Sequence, residues 1–207
     1  MNHIQVDHNS DEWLELRAGR LTSSSVPTIM ANYGNAFGEP ALKLASEIAV
    51  EQITGNPLPN QLYGNWLARG HEFEPVAVDR FQEQHFFTLV SGGFFFDDLQ
   101  GSSPDRLEKN WNFFSEVKVK SVHEFYKIKK AGKIPTGYLW QICHQMIISG
   151  IEQAKFIALC PELPYEKSLL VIDTDIKEQA EKIEQVKKRT VEFFKKVDEA
   201  KEVLNGF

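Results

Sequence analysis

Residues 102–120 read SSPDRLEKNWNFFSEVKVK and organise the rest of the chain. A Ser-Pro turn presents one carboxylate, Asp105, and an apolar, aromatic run ends in the triplet Glu116, Val117, Lys118. At a strand's period of two, Glu116 and Lys118 project from one face, and Val117 and Val119 project from the other. The valines can then anchor the strand in a core while the charged pair faces a cleft, where two carboxylates and an ammonium would meet.

Hard divalent cations such as Mg2+ take oxygen ligands, few of them from the protein, and Asp105 with Glu116 can supply those. A lysine beside such a cation can orient the attacking water and balance charge on a phosphoryl centre, which suits phosphodiester hydrolysis. Glu-x-Lys is a common triplet, and the competing reading is an exposed Asp-Arg turn followed by a strand with a solvated charged edge.

The 207 residues suffice for one sizeable domain, and a hydrophobic content of 42% with 25% charged residues is that of an ordinary globular protein. No apolar run approaches membrane-spanning length, and the opening MNHIQVDHNSDEW lacks a basic and a hydrophobic leader region, so the expected location is the cytoplasm, host or bacterial. The two cysteines, Cys143 and Cys160, have no CxxC partner and read as core thiols. A net charge of -6 argues against a protein that simply coats nucleic acid. Between Val117 and Lys133, however, six lysines face a single acid, Glu124. Phosphate contacts need local rather than overall positive charge.

Outward from the central stretch, Asn9 or Ser10 caps a short helix carrying Trp13, Leu14 and Leu16, with Arg17 at its end. Thr22 and the serines 23–25 head a second helix, and hydroxyls beside an arginine at a helix N-terminus suit an anion. Pro40 opens a helix that Gly55 stops, and a further helix runs from about Tyr63 to His85 with Glu72 and Glu74 beside His71. Segments 86–90 and 93–97 read as two strands around Ser91-Gly92, leading into an antiparallel meander. Pro135 introduces a helix to Gly150 with Leu139, Ile142, Cys143, Met146 and Ile147 as its core stripe, which leaves Gln141 and Gln145 on another face. Strands at 155–160 and 167–172 precede a long amphipathic helix from about Asp175 to Leu204, whose Phe193-Phe194 pair suits either its own core or a subunit interface.

Five segments in order, WLELRAGRLTSSSV, ARGHEFEPVA, SSPDRL, EVK and YLWQICHQM, resemble the bacteriophage lambda exonuclease family of the PD-(D/E)xK nuclease superfamily. The resemblance covers most of the chain from about Trp13 onward. It implies an α/β (α+β) fold with a central mixed β-sheet flanked by helices, formed by residues 1–207 as a single nuclease domain. It implies a Mg2+-dependent 5′-to-3′ exonuclease on double-stranded DNA ends, with two Mg2+ per site and Mn2+ as a substitute. A ring-shaped homotrimer and a single-strand annealing recombinase as partner belong to the same expectation.

By position, Asp105, Glu116 and the Val117 carbonyl resemble the metal ligands, Lys118 the residue that positions water, and Glu74 an auxiliary acid at the metal centre. Arg17, Ser24, Ser103 and Gln141 resemble the pocket for a 5′-terminal phosphate, and Leu67 a wedge that parts the terminal base pair. Arg106 follows the aspartate where Gly is common, a change expected to leave ligation undisturbed. Gln145 stands where many relatives carry Tyr, so no role is carried over to it. A structure-specific or restriction-type endonuclease shares this metal core, and a catalytically inactive DNA-binding subunit shares the fold.

Overall fold

The computed structural model describes residues 2–59 and 68–206, and the backbone alone at 65–67. The element order is β1 (Asn2–Ile4), α1 (Asp11–Arg17), β2 (Leu21–Thr22), α2 (Val26–Met30), α3 (Glu39–Thr54), α4 (Asn65–His85), β3 (Leu89–Ser91), β4 (Phe94–Phe96), β5 (Gln100–Ser102), β6 (Arg106–Glu108), β7 (Phe114–Val119), α5 (Val122–Ala131), α6 (Thr136–Ser149), β8 (Gln153–Leu159), β9 (Leu169–Asp175) and α7 (Ala180–Asn205). The class is mixed α/β, as expected.

Five strands form the main sheet in the order β3-β6-β7-β8-β9. Strand β7 runs parallel to β8, and the other neighbours are antiparallel. A parallel neighbour requires a crossover, which α5 and α6 supply between β7 and β8. A second sheet, β1-β4-β5-β2, stands apart from the first.

The sequence reading of 86–90 and 93–97 as consecutive strands of one antiparallel meander is corrected here, because β3 pairs with β6 in one sheet and β4 pairs with β1 and β5 in the other. The chain changes sheets at Gly92 and Gly93. Gly93 has φ +60°, and a Cβ on Gly92 would lie 1.8 Å from the Pro104 carbonyl oxygen. That contact seats the β3–β4 link against the turn that presents Asp105.

The main sheet is apolar on both faces. Val117 and Ile157 pack with Ala77, Val78 and Phe81 of α4 on one side. Phe114 and Phe156 join Ile142 and Met146 of α6 on the other. Each of these fully buried phenylalanines contributes roughly 1.5–3 kcal/mol relative to exposure. Helix ends follow their local signals: the Ser10 hydroxyl accepts from the Trp13 N–H at 3.2 Å to start α1, and Gly55, Gly132 and Gly150 close α3, α5 and α6 in the left-handed region. Lysines 127, 129 and 130 lie on α5, whose buried side is Phe125 and Ile128.

In α7 the buried residues include Ile183, Val186, Phe193 and Val197, while Leu204 is exposed. Phe193 sits edge-on to Phe37 and is therefore spent inside the fold rather than offered to a second subunit. Both cysteines are free and buried. Among the described residues, no helix is long and apolar enough to cross a membrane.

Candidate active site

Pairing between β6 and β7 ends at Arg106 opposite Ser115. Beyond that point the exposed edge of β7 meets the Asp105 turn instead of a strand. The Val117 N–H donates to Asp105 Oδ2 at 2.6 Å, which fixes the carboxylate against β7. The Val117 carbonyl belongs to the same strand edge as its N–H. Alternation then turns Val117 into the α4 layer and Glu116 with Lys118 toward α6.

Glu116 is buried and held on three sides. Gln141 Nε2 donates to Oε1 at 2.6 Å, Gln145 Nε2 donates to Oε2 at 2.7 Å, and the Lys118 ammonium pairs with Oε1. Lys118 Nζ also lies 3.6 Å from Asp105 Oδ2, so the two carboxylates share one ammonium. Burial, with Asp105 adding repulsion, pushes the Glu116 carboxyl up to about 7. Burial alone would lower the Lys118 ammonium, but Asp105 and Glu116 outweigh it and hold it above the ordinary lysine range.

Glu74 reaches the same cleft from α4, where its Oε1 pairs with Arg106 Nη1 at 2.8 Å. Burial and then Asp105 push its carboxyl up, against Arg106 and Lys118. Glu72 is exposed and does not line the cleft. Pro75, inside α4, has no N–H to give the carbonyl of His71, the residue that lines the cleft one turn earlier.

The same cleft, about 830 Å³, continues past Gln141 to Arg17, Ser24 and Ser103. Arg17 stacks its guanidinium 4.1 Å above the Trp13 ring, and its Nη2 donates to Thr22 Oγ1 at 3.3 Å. Burial lowers its pKa to about 10, opposed by Glu51, so it stays charged at neutral pH. Ser103 is surrounded by three partners: Trp13 Nε1 donates to its oxygen at 2.9 Å, the hydroxyl donates to the Gly93 carbonyl at 2.9 Å, and His8 Nε2 lies at 2.7 Å. A hydroxyl has one hydrogen and two lone pairs, so these contacts use all of Ser103 and fix Nε2–H as the His8 tautomer.

The serine segment differs from the expected helix head. Serines 23–25 form a single 3-10 turn before the five-residue α2, so donors for an anion here are side chains rather than a helix terminus. Ser24 is exposed on the cleft wall, whereas Ser23 is buried and donates to His144 Nδ1 at 2.8 Å. His144 Nε2 in turn donates to Gln100 Oε1 at 3.1 Å. Burial, opposed by Asp97, pulls the pKa of His144 down to about 4, below the ~6.5 of an unfolded chain. Below pH ~6.5 the unfolded chain therefore binds a proton that the folded one refuses. This group's share of stability is lost as pH falls from about 6.5 toward 4, at up to ~1.4 kcal/mol per pH unit. His144→Gln should flatten that stretch of the profile in urea unfolding at pH 7, 6 and 5 relative to the parent.

The structure thus gathers Asp105, Glu116, Lys118, Glu74, Arg17, Ser24, Ser103 and Gln141 around one cleft. The side chain of Leu67 lies outside the described residues. Two residues that sequence reasoning passed over are Gln145 and His8. Gln145 is wholly buried because α6 is covered on more than one face, and only an i, i+4 pairing with Gln141 hinted at a shared target.

Among the described residues no group of three or more His, Cys, Asp or Glu forms a ready-made metal cage. A hard cation that keeps most of its water asks for less, and two carboxylates with one backbone carbonyl on a cleft fit that donor set. Asp105 and Glu116 share a single ammonium, which also favours an added cation.

A mixed sheet thus brings an aspartate turn and a Glu-x-Lys strand together at one cleft. The family profile described as YqaJ-like viral recombinase domain matches residues 12–152, and the chain belongs to that family. Among solved structures, the chain is similar to an alkaline exonuclease from Laribacter hongkongensis, with 22% identity, a TM-score of 0.75, and coverage of 94% of this chain and 98% of that one. The same enzyme in complex with dAMP matches equally. A phage related exonuclease from Haemophilus somnus 129PT matches at 16% identity and a TM-score of 0.66, over 90% of this chain and 96% of that one. No curated protein matches the chain.

Proposed function

We propose that residues 1–207 act as one divalent-cation-dependent exonuclease, which digests one strand of duplex DNA from a 5′-phosphorylated end and leaves a 3′ single strand. The observation that carries this reading is the meeting of Asp105, Glu116 and Lys118 in the cleft that also holds Arg17. Asp105, Glu116 and the Val117 carbonyl would hold Mg2+ or Mn2+. A cation bound there supplies charge stabilisation at the phosphoryl group and a more acidic attacking water.

The chain's own residues do the rest. Gln141 and Gln145 fix both Glu116 oxygens, so the carboxylate does not rotate as charge develops. Lys118, kept charged by its two carboxylates, orients the water and offsets negative charge on the phosphoryl oxygens. Arg17, flattened on Trp13, presents a fork suited to a terminal phosphate, and Ser24 adds a hydroxyl. Ser103, with its hydrogen-bonding capacity used, shapes that pocket through Trp13 and His8. Holding the terminal phosphate while the next bond lies at the carboxylates sets polarity and step.

Resemblance to the lambda exonuclease family supports a ring homotrimer and an annealing recombinase that takes up the exposed strand. The test is digestion of linear duplex carrying a 5′-phosphate or 5′-hydroxyl, beside a closed circle, with Mg2+ or EDTA. Mg2+-dependent loss of the 5′-phosphorylated strand with the circle intact is expected. Cutting of the circle would make the protein an endonuclease, and no cutting would make it a binding subunit.

A further inference from the structure

Arg106 follows Asp105 and pairs with Glu74, and its placement bears on how many cations the site takes. Its backbone is fixed in β6, paired with Ser91 on one side and Ser115 on the other. Its Nη1 donates to the carbonyl of Asp105 at 2.6 Å and pairs with Glu74 at 2.8 Å. Among the described residues no other side-chain nitrogen of Arg106 donates a hydrogen bond, and the residue lines the cleft. A guanidinium does not give up its proton in proteins, so this charge is permanent.

Three carboxylates, Glu74, Asp105 and Glu116, thus face two fixed cations, and they are divided between them. Asp105 and Glu116 share Lys118 on the edge of β7, while Glu74 is tied to Arg106. With all three carboxylates ionised, as a bound cation requires of its ligands, the formal local charge is one negative. One divalent ion reverses it to one positive, which a phosphodiester's single negative charge balances. A second divalent ion drawing on Glu74 would have to take it from Arg106 and sit beside a guanidinium that cannot be discharged.

We infer that this site binds one divalent cation, at Asp105 and Glu116, and that Arg106, oriented by Glu74, occupies the place of a second and offers its free N–H groups to the phosphate being cleaved. This rests on the nuclease reading above. Glu74 then acts as a positioning residue for Arg106 and not as a metal ligand, which departs from the role its family resemblance implies. It also departs from the expectation that an arginine after Asp105 is neutral toward the metal centre.

Counting ions separates this from the nuclease reading itself. Mn2+ is titrated into the full chain without DNA and the bound ion followed by electron paramagnetic resonance, for the parent, Glu74→Gln and Arg106→Ala. One ion is expected in the parent, still one in Glu74→Gln, and two in Arg106→Ala. Two ions in the parent falling to one in Glu74→Gln would overturn the inference while leaving the nuclease intact, as would one ion retained in a folded Arg106→Ala. No ion in the parent would overturn the nuclease reading as well. Should Arg106→Ala fail to fold by circular dichroism, the parent and Glu74→Gln counts decide alone.

Discussion

Lys118→Ala is expected to slow cleavage of linear duplex DNA by about 10³-fold while leaving DNA affinity within a few-fold of the parent. The ammonium lies against Glu116 and 3.6 Å from Asp105, on the cleft and not in the pocket around Arg17. Its removal takes away the group that orients water and offsets developing charge, and leaves the substrate-holding residues in place. It also leaves two carboxylates facing one another, and breaking such a buried pair costs about 3–5 kcal/mol. The folded variant should therefore depend on divalent cation more than the parent does, with a larger rise in melting temperature on adding Mg2+. Single-turnover cleavage with excess enzyme, beside binding measured with Ca2+, separates the two effects. Cleavage at the parental rate would remove Lys118 from the reaction.

Arg17→Ala should erase most of the preference for a 5′-phosphate over a 5′-hydroxyl, by about 10–100-fold, the value of a charge-assisted fork worth ~1.5–3 kcal/mol. Rates on 5′-hydroxyl ends should move little, because among the described residues Arg17 has no hydrogen bond or ion pair to the carboxylate centre. Arg17→Lys should fall between the two, since it keeps the charge and loses both the fork and the flat stacking on Trp13. The ratio of initial rates on the two ends is the readout. Equal losses on both ends would make Arg17 a general DNA contact and leave the polarity of digestion without its anchor.

How far these residues can be read without a structure depends on how local their signals are. The β7 alternation is local: Val117 to one face, Glu116 and Lys118 to the other, although Ser115 and Glu116 are as buried as Val117, so burial there does not follow the hydrophobic pattern. Helix limits near Ser10, Gly55 and Gly150 are local too, because caps and left-handed glycines act within one turn. Gln145 was not legible, because an amide on a helix is ordinarily solvated, and its burial here comes from the elements packed around α6, with Glu116 of β7 as its partner. The change of sheet at Gly92 and Gly93 was hidden for the same reason: its cause, the Pro104 carbonyl, is a contact between non-neighbours.

The sequence by itself determined the α/β class, the strand that carries Glu116 and Lys118, the turn that carries Asp105, and the family, since each follows from period, punctuation and order along the chain. Only the tertiary structure decided who pairs with whom among the charges. It gave Glu116 to Gln141, Gln145 and Lys118, gave Glu74 to Arg106, and turned Ser23 inward while Ser24 faces the cleft. Charge pairing and desolvation depend on through-space distance among elements far apart in sequence, and a one-dimensional pattern does not contain that distance.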